Sequence, residues 1–523
     1  MPLRGPCGAP ARGARAALTL SGRRILACTR AADLCEFTTR NVNALTAVNL
    51  VTALHRLAKM QEGRPLAPPE PPAPGRAALA LEVQDAVALL SEHVASKVHE
   101  LDSRGVSNCL WALAVLPEAP RREALLAALA ARGVDKLPQG TPQSLSVTAW
   151  ALGTMRWHPG SALLSVLSAS AAAAAHRFSA QGTANFLWGL AQLGAAPPAR
   201  LLAALSGQAC RVADTFKTQE LSSLFWAVAK LGGTVDPTFL RAAARRAAQL
   251  EPELTRPAEV AGLLWALATM RAERAAPPPP PELLSVLLRC AAALAPRLDA
   301  QGAASIAWSL SKLLPKILVR NESWAGASAA PPAPAPAAPG TDERVAAGLR
   351  DALLERLRLV AGDLKPMEVS MVLVAFANAS ALPPAPLAAA LHARALAAVP
   401  AMQPQEVANV LWALAHLGAA PPPALLAALQ ARAAATCAGF LPQHVFNTLW
   451  ALSVLIVPPP PPLEVAADAK SGLPWDPALL EGLAEGARAA LAPGGARAPG
   501  GLDVATLVDR QRIAQLQQFF VCL

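Results

Sequence analysis

Polar side chains that can form hydrogen bonds recur at fixed distances from a repeated tryptophan. With the tryptophan as position 0, position −7 is glutamine in six copies: Gln143, Gln181, Gln219, Gln301, Gln405 and Gln443. Position −3 is asparagine or serine in seven copies: Asn49, Asn108, Asn185, Asn409, Asn447, Ser223 and Ser305. Amide and hydroxyl groups in such rows can pair with base edges, which single-stranded RNA leaves exposed.

Position +4 is the variable member of the pattern. Its residues are Arg56, Val115, Thr154, Gln192, Lys230, Thr269, Lys312, Asn378, His416 and Val454. A residue that never changes cannot distinguish one base from another, so the variable position is the better candidate for base selection. Lysine and arginine at this position can alternatively hold phosphates, which adds affinity without sequence information. We therefore predict RNA contacts at +4 from Gln192, Lys230, Lys312 and His416.

Structural roles for the same positions remain open alternatives. Glutamine at −7 lies near a helix start and can satisfy free backbone donors there. Asparagine at −3 can serve as a buried amide between neighbouring copies. For the tryptophans we favour packing between copies, with base stacking as the alternative. The pair Arg245 and Arg246 is expected on a solvated outer face.

Catalytic and metal-binding patterns are missing from the sequence. We find no nucleophile elbow, phosphate-binding glycine loop, His-Glu-x-x-His pair or carboxylate cluster. The eight cysteines are scattered and contain no Cys-x-x-Cys pair. We therefore expect no catalytic residue, no metal, no cofactor and no small-molecule substrate, and we expect a binding protein rather than an enzyme.

The tryptophans define an internal repeat with a period of about 38 residues, which lies within the range of known helical repeats. Trp111, Trp150, Trp188, Trp226 and Trp265 follow one another at almost constant intervals, and Trp412 and Trp450 are separated by the same interval. Trp308 follows Trp265 after a slightly longer one. Two further copies carry Thr52 and Val374 in the tryptophan place, which makes ten copies, numbered here one to ten from Thr52 to Trp450.

Each copy reads as two helices. The first surrounds the tryptophan and stops at a glycine such as Gly194, Gly232 or Gly418. Proline then precedes a second helix rich in alanine and leucine. Because one helix pair cannot bury its apolar faces alone, neighbouring pairs must stack. The prediction is an all-α fold, a right-handed superhelical α-solenoid of about ten 38-residue helix-pair repeats.

Composition shifts divide the chain. The predicted segments are a disordered transit peptide (1–35), repeats one to seven (36–320), an Ala/Pro-rich linker (321–341), repeats eight to ten (342–457), a Pro-rich linker (458–474) and a C-terminal helical cap (475–523). No stretch of 18 apolar residues occurs, so no membrane insertion is expected.

The N-terminus indicates an organelle. Residues 1–32 contain six arginines and no acid, so their removal would lower the net charge from +10 to +4. Such a composition is typical of chloroplast or mitochondrial transit peptides. We expect a chloroplast location, with the mitochondrion as the alternative. A charge of +4 on so long a body is only a mild attraction for nucleic acid.

The repeat resembles a known family. Pro404–Gly418 reads PQEVANVLWALAHLG, and the segments 180–194, 218–232 and 442–452 share its frame. This string and its period resemble the octotricopeptide repeat family, whose members are generally organellar RNA-binding factors. The alternating strand pattern of the RAP domain that ends many members is not found in residues 475–523.

The resemblance implies sequence-specific binding of single-stranded organellar RNA in transcript stabilisation, processing or translation. Ribonucleoprotein partners are also implied. A protein-binding α-solenoid scaffold is the alternative, because helical repeats also present extended surfaces to protein partners.

Overall fold

A computed structural model describes residues 20–61, 74–116, 122–232, 237–274, 277–318, 343–418 and 420–456. These ranges contain 21 α-helices and no β-strand. The predicted linkers 321–341 and 458–474 and the predicted cap 475–523 lie outside them. The chain divides into two compact units, with the boundary between Glu253 and Leu254. The predicted all-α fold is confirmed.

The N-terminal unit contains copies one to five. Its first helices are α3 Ala47–Gln61, α5 Ser103–Val115, α7 Pro142–Met155, α9 Ala180–Gln192 and α11 Thr218–Leu231. Its second helices are α4 Pro74–Ser96, α6 Arg122–Lys136, α8 Ser161–Ala174, α10 Ala199–Arg211 and α12 Pro237–Gln249. An additional pair precedes them: α1 Leu20–Ala27 and α2 Ala31–Asn41.

The C-terminal unit contains copies six to ten. Its first helices are α13 Pro257–Arg274, α15 Ala300–Leu313, α17 Pro366–Asn378, α19 Pro404–Leu417 and α21 Pro442–Ile456. Its second helices within the described ranges are α14 Pro281–Leu294, α16 Glu343–Val360, α18 Ala385–Ala398 and α20 Pro423–Thr436.

Both units have the same two-layer packing. Each first helix packs against the first helix of the next copy in its unit, and the second helices do the same. Leucine, alanine and phenylalanine side chains fill the space between the layers, and Phe178, Phe216 and Phe376 are at most 1% exposed. Each unit is therefore an α-solenoid of stacked helix pairs, as the repeat predicts.

The ends of the helices follow the glycine and proline signals. Gly194, Gly232 and Gly418 have φ values of 63°, 69° and 64°, a left-handed conformation that glycine adopts without strain. Proline occupies the N-cap or the first turn of α14, α18 and α20. Because proline lacks an N–H and has a fixed φ, these starts cost little.

Two alternative devices cap the first helices. In α5, α7, α9 and α15 the N-cap side chain accepts a hydrogen bond from the backbone N–H three residues on; these caps are Asp102, Thr141, Ser179 and Asp299. In α11, α17 and α19 a glutamate at position −6 accepts from the N-cap backbone N–H instead; these are Glu220, Glu368 and Glu406. Either device satisfies a backbone donor that the helix leaves unpaired.

The first helices α7 and α9 approach each other most closely at two glycines. A Cβ atom on Gly153 would lie 2.7 Å from the Cα of Gly189, and one on Gly189 would overlap the carbonyl oxygen of Ala149. The two backbones are thus in direct contact. Only residues without a side chain allow this spacing.

The prediction of disorder for residues 1–35 is wrong for Leu20–Ala27, which form α1, and for residues 31–35, which form the start of α2. These helices pack on α3 and α4, and Ile25 and Leu34 are fully buried. The only sequence signal for this helix pair is a few apolar residues spaced to form one buried helix face. The arginine-rich composition around them pointed to a disordered leader instead. Residues 1–19 lie outside the described ranges.

None of the helices in the described ranges has the length and apolar character needed to cross a membrane.

Replacing Gly189 with alanine should destabilise the protein, because the new methyl group would collide with the backbone of α7. Overpacking of this kind costs about 1–3 kcal/mol. The control is Gly348→Ala in α16, where a Cβ would meet nothing within 4 Å. That change should stabilise by about 0.5–1 kcal/mol, since alanine favours a helix interior. Urea unfolding followed by circular dichroism measures both; a neutral Gly189→Ala would contradict the direct backbone contact.

Leu34→Ala should lower the free energy of unfolding by about 2–5 kcal/mol, because it removes a fully buried side chain from the α2–α4 contact. Leu26→Ala is the matched control, since Leu26 is 43% exposed in α1 and should tolerate the change. Thermal unfolding of the two variants compares them directly. Equal stabilities would mean that the N-terminal helix pair is not part of the packed unit.

Candidate nucleic-acid interface

Positions −7, −3, 0 and +4 lie along one side of each first helix. A helix completes a turn in about 3.6 residues, so position −7 lies almost two full turns before position 0, and position +4 lies slightly more than one turn after it. From −7 to +4 the set extends about 16 Å along the helix axis. We call these positions the first-helix strip.

The glutamines at −7 are accessible to solvent. Gln143, Gln301, Gln405 and Gln443 are exposed, whereas Gln181 and Gln219 are half-buried. All six occupy the second residue of a first helix. The capping bonds at these helix starts come from the N-cap residue or from position −6. Glutamine at −7 is therefore not the residue that makes those bonds.

Position −3 is more enclosed than predicted, and Asn185 cannot act as an RNA contact in this structure. Asn185 is 0% exposed, and neither its amide nitrogen nor its amide oxygen has a hydrogen-bond partner. It lies in α9, whose backbone contacts that of α7, so no approach to the side chain exists. Asn49 is likewise buried, at 5% exposure. Half-buried members of the position are Asn108, Ser223, Ser305, Asn409 and Asn447.

The tryptophans at position 0 divide into two groups. Trp111 and Trp150 are buried, with 4% and 3% exposure. The half-buried group comprises Trp188, Trp226, Trp265, Trp308, Trp412 and Trp450. Rings of neighbouring copies contact each other: the centroids of Trp265 and Trp308 lie 6.5 Å apart with the planes inclined by 29°. The rings thus pack between copies, and six of the tryptophans keep some accessible surface.

Position +4 lies at the junction between neighbouring copies. The His416 ring stacks at 5.0 Å on Trp412 of its own copy and lies 6.3 Å from Trp450 of the next. The Lys312 ammonium donates to Asn378 Oδ1, the +4 residue of the following copy, at 3.1 Å. Each +4 side chain in these two examples therefore contacts the strip of the next copy.

Several +4 residues are already engaged or covered. Arg56 donates to the carbonyl oxygen of Cys28 at the end of α1, at 2.6 Å. Thr154 donates to the carbonyl of Trp150, and Thr269 is 3% exposed. Lys230 and His416 are exposed and Gln192 is half-buried. Among the predicted +4 contacts, Gln192, Lys230, Lys312 and His416 all retain accessible surface.

Arginines of the second helices are held away from the strip by a recurring bond that the sequence analysis did not identify. A guanidinium Nε donates to the backbone carbonyl of the connector residue before the first helix of the same copy. The bonds join Arg132 to Leu101, Arg246 to Phe216, Arg356 to Leu298, Arg394 to Leu364 and Arg432 to Met402, at 2.6–2.9 Å. Gln208 makes the equivalent bond to Phe178.

This connector clamp corrects one expectation. Arg245 is exposed as predicted, but Arg246 is half-buried and bound to a backbone carbonyl rather than lying on a solvated face. Donor and connector are 30 or 31 residues apart in five of the six bonds and 58 apart in the bond from Arg356 to Leu298, and no local sequence signal marks the pairs. The strip itself carries few cations, among them Lys230 and Lys312. Burial lowers the pKa of the Lys312 ammonium.

Potential metal ligands do not cluster in the described ranges, and two buried cysteines there have raised pKa values. These contain no group of three or more His, Cys, Asp and Glu side chains placed to hold a metal ion. Burial raises the pKa of Cys109 to about 12, and burial with the nearby Glu82 carboxylate raises that of Cys35 to about 11. Both thiols are therefore protonated and poorly nucleophilic at neutral pH.

Comparisons with known proteins do not assign the chain to a family. No family model matches the chain, and no curated protein gives a significant match. Among solved structures, a homology model of the full-length AP-3 complex in an intermediate open conformation has a TM-score of 0.33 and 8% identity, with 84% of this chain and 77% of that chain covered. An engineered protein has a TM-score of 0.19 and 10% identity, with 94% and 98% covered. At these scores neither likeness bears on function.

Lowering the pH should destabilise the N-terminal unit through His55. The centroid of this ring lies 4.6 Å from that of Trp111. Its pKa is lowered from 6.5 to about 4, mainly by burial and further by the positive charges of Lys59, Arg104 and Arg56. The unfolded chain therefore takes up a proton first, and the free energy of unfolding falls between pH 6.5 and pH 4. At pH 5 the loss relative to pH 7 is about 2 kcal/mol.

Urea unfolding at pH 7 and pH 5 tests this effect. In His55→Gln the difference between the two pH values should shrink by that amount, because no proton is taken up at this position. His176→Gln, at an exposed position, is the control and should behave like the unmodified protein. The same pH dependence in His55→Gln and in the unmodified protein would contradict the assignment.

Proposed function

We propose that this chain binds single-stranded RNA sequence-specifically through its first-helix strips. It acts as a binding factor in transcript stabilisation, processing or translation rather than as an enzyme. The proposed compartment is the chloroplast, with the mitochondrion as the alternative. Ribonucleoprotein partners would join it on the transcript.

The observation that carries this proposal is the repetition of accessible rings and amides at the same helix positions. In copy nine the exposed Gln405, the half-buried Trp412 and the exposed His416 follow one another along a single strip. Amides can pair with base edges, and aromatic rings can stack on base faces. The same three positions recur in register in neighbouring copies of each unit, which suits a ligand that itself repeats.

The charge distribution favours contacts to bases over contacts to phosphates. The clamped arginines are engaged with backbone carbonyls, and Lys230 and Lys312 are the candidate phosphate contacts among the predicted residues. Even if both lysines bound phosphates, the slope of log K against log salt for a single strand would reach only about −1.4. A basic groove that binds any polyanion would have a much steeper slope.

The organellar part rests on the family resemblance and on the arginine-rich N-terminus. Three of its six arginines, namely Arg23, Arg24 and Arg30, lie in the α1–α2 region, which is folded. A leader that leaves this pair intact would end before Leu20. Loss of residues 1–19 removes three arginines and no acid and leaves a net charge of +7.

Fluorescence anisotropy with a random single-stranded RNA pool tests the proposal. The double variant Gln405→Ala/His416→Ala should bind about tenfold more weakly, because it removes an amide and one ring of the accessible strip. The matched control is Gln139→Ala/His176→Ala, which removes the same two side-chain types from exposed connector positions. The control should bind like the unmodified protein.

A salt series and a duplex DNA competitor complete the experiment. The proposal requires binding to single strands in preference to duplex DNA, with a shallow salt slope. Absence of RNA binding in the unmodified chain, or equal losses in the two double variants, would reject the proposal. The first of these results would favour the protein-binding scaffold.

A further inference from the structure

A chain of hydrogen bonds connects copies seven and eight in the C-terminal unit. Lys312 Nζ donates to Asn378 Oδ1 at 3.1 Å, and Asn378 Nδ2 donates to Ser311 Oγ at 3.3 Å. Ser311 Oγ in turn donates to the carbonyl oxygen of Trp308 at 2.7 Å. The chain therefore ends on the backbone of α15 and holds both +4 side chains in fixed positions.

The chemistry of the donors determines the orientation of the amide. An ammonium group has no acceptor, so the atom of Asn378 that faces Lys312 must be the oxygen. Asn378 Nδ2 then has one N–H for Ser311 and one left over, and Lys312 Nζ has two N–H groups left over. The junction therefore presents three unused N–H donors on two neighbouring side chains, whereas Asn378 Oδ1 keeps one lone pair.

The Lys312 ammonium is not neutralised by the protein. No carboxylate lies within 4 Å of it among the residues that the structure describes. Burial lowers its pKa, and no charged neighbour contributes to that shift. A half-buried ammonium without a counter-charge is stabilised by a ligand that supplies acceptor oxygen or nitrogen atoms.

The side chain at position 0 of copy eight is also unusual. At two other junctions of this unit the strip residues of adjacent copies meet through rings, namely Trp265 with Trp308 and His416 with Trp450. Copy eight has the half-buried Val374 at this position, which is much smaller than an indole.

We infer that the Lys312–Asn378 junction selects guanine in the bound strand. This inference rests on the proposed RNA binding and assigns one base to one site. Guanine presents two neighbouring acceptors, O6 and N7, which match two neighbouring donors. Adenine places its N6 amino donor beside N7 and cytosine presents its N4 amino group, and the Lys312 ammonium cannot accept a hydrogen bond from either. The unit that reads a base here is the junction of two copies, not one copy.

The test begins with a selection from a random 20-nucleotide RNA library on the full-length protein. Synthetic RNAs that carry each of the four bases at every position of the selected motif are then measured by anisotropy. We expect one position at which guanine is preferred over adenine by about tenfold. Lys312→Gln and Asn378→Ala should each abolish that preference and leave the other positions unchanged. Because the two side chains act as a pair, the double variant should lose no more than either single variant.

Two further variants separate the inference from simpler explanations. Lys316→Gln removes the same charge at an exposed position four residues on and should retain the guanine preference. Lys312→Arg keeps two donors and should also retain it. Thermal unfolding of each variant checks that the fold is preserved. Lys312 and Asn378 lie on different helices, so if one single variant fails to fold, the other still tests the inference.

The outcomes are distinct. A uniform loss of affinity for all four bases in Lys312→Gln, with a salt slope shallower by about 0.7, would identify a phosphate contact and overturn the inference. Guanine preference that survives in either single variant, with the fold preserved, would also overturn it while leaving RNA binding intact. Failure of the unmodified chain to bind any RNA would overturn both the inference and the proposed function.

Discussion

Direct packing of consecutive first helices is the interaction on which the rest of each unit depends. Gly153 and Gly189 bring α7 and α9 into backbone contact, and rings meet across other junctions, as in Trp265 with Trp308. Alanine-rich helices suit this arrangement, because small side chains lose little entropy and permit close approach. Since each helix has the same period and the same start and stop signals, close packing brings equivalent positions of neighbouring copies side by side.

The strip and its limits follow from that packing. Where helices touch most closely, residues at −3 and 0 are sealed, as Asn185 and Trp150 show. Where a ring or a long side chain separates them, the residue at +4 spans the gap and contacts the next copy. The accessible chemistry is thus concentrated at helix starts and at junctions. The clamped arginines add no free Nε–H donor to the strips, because each of these groups is bound to a backbone carbonyl of a connector.

Much of the fold could be predicted from the sequence because its signals are local. The tryptophan period, the left-handed glycines and the prolines at second-helix starts act within a few residues, and the helix pairs follow from them. Long-range features could not be predicted in this way. The burial of α1 and α2 depends on contacts with α3 and α4, and the clamp from Arg432 to Met402 joins residues 30 positions apart.

The candidate site was predictable as a pattern but not residue by residue. Helical geometry places −7, 0 and +4 on one side, whereas exposure depends on how near the next helix lies. Asn185 and Asn409 share a position and a residue type, yet the first is sealed and the second is half-buried. Lys312 and Asn378 are separated by the segment 319–342, so their pairing is invisible to a local reading.

Ultraviolet cross-linking of the full-length protein to a selected RNA, followed by mass spectrometry of the adducts, tests most directly whether the first-helix strips are the binding surface. We expect adducts on strip residues such as Trp412, His416 and Trp450, at intervals that follow the repeat. Adducts confined to second helices or connectors, with none on the first helices, would contradict the assignment of the RNA-binding surface.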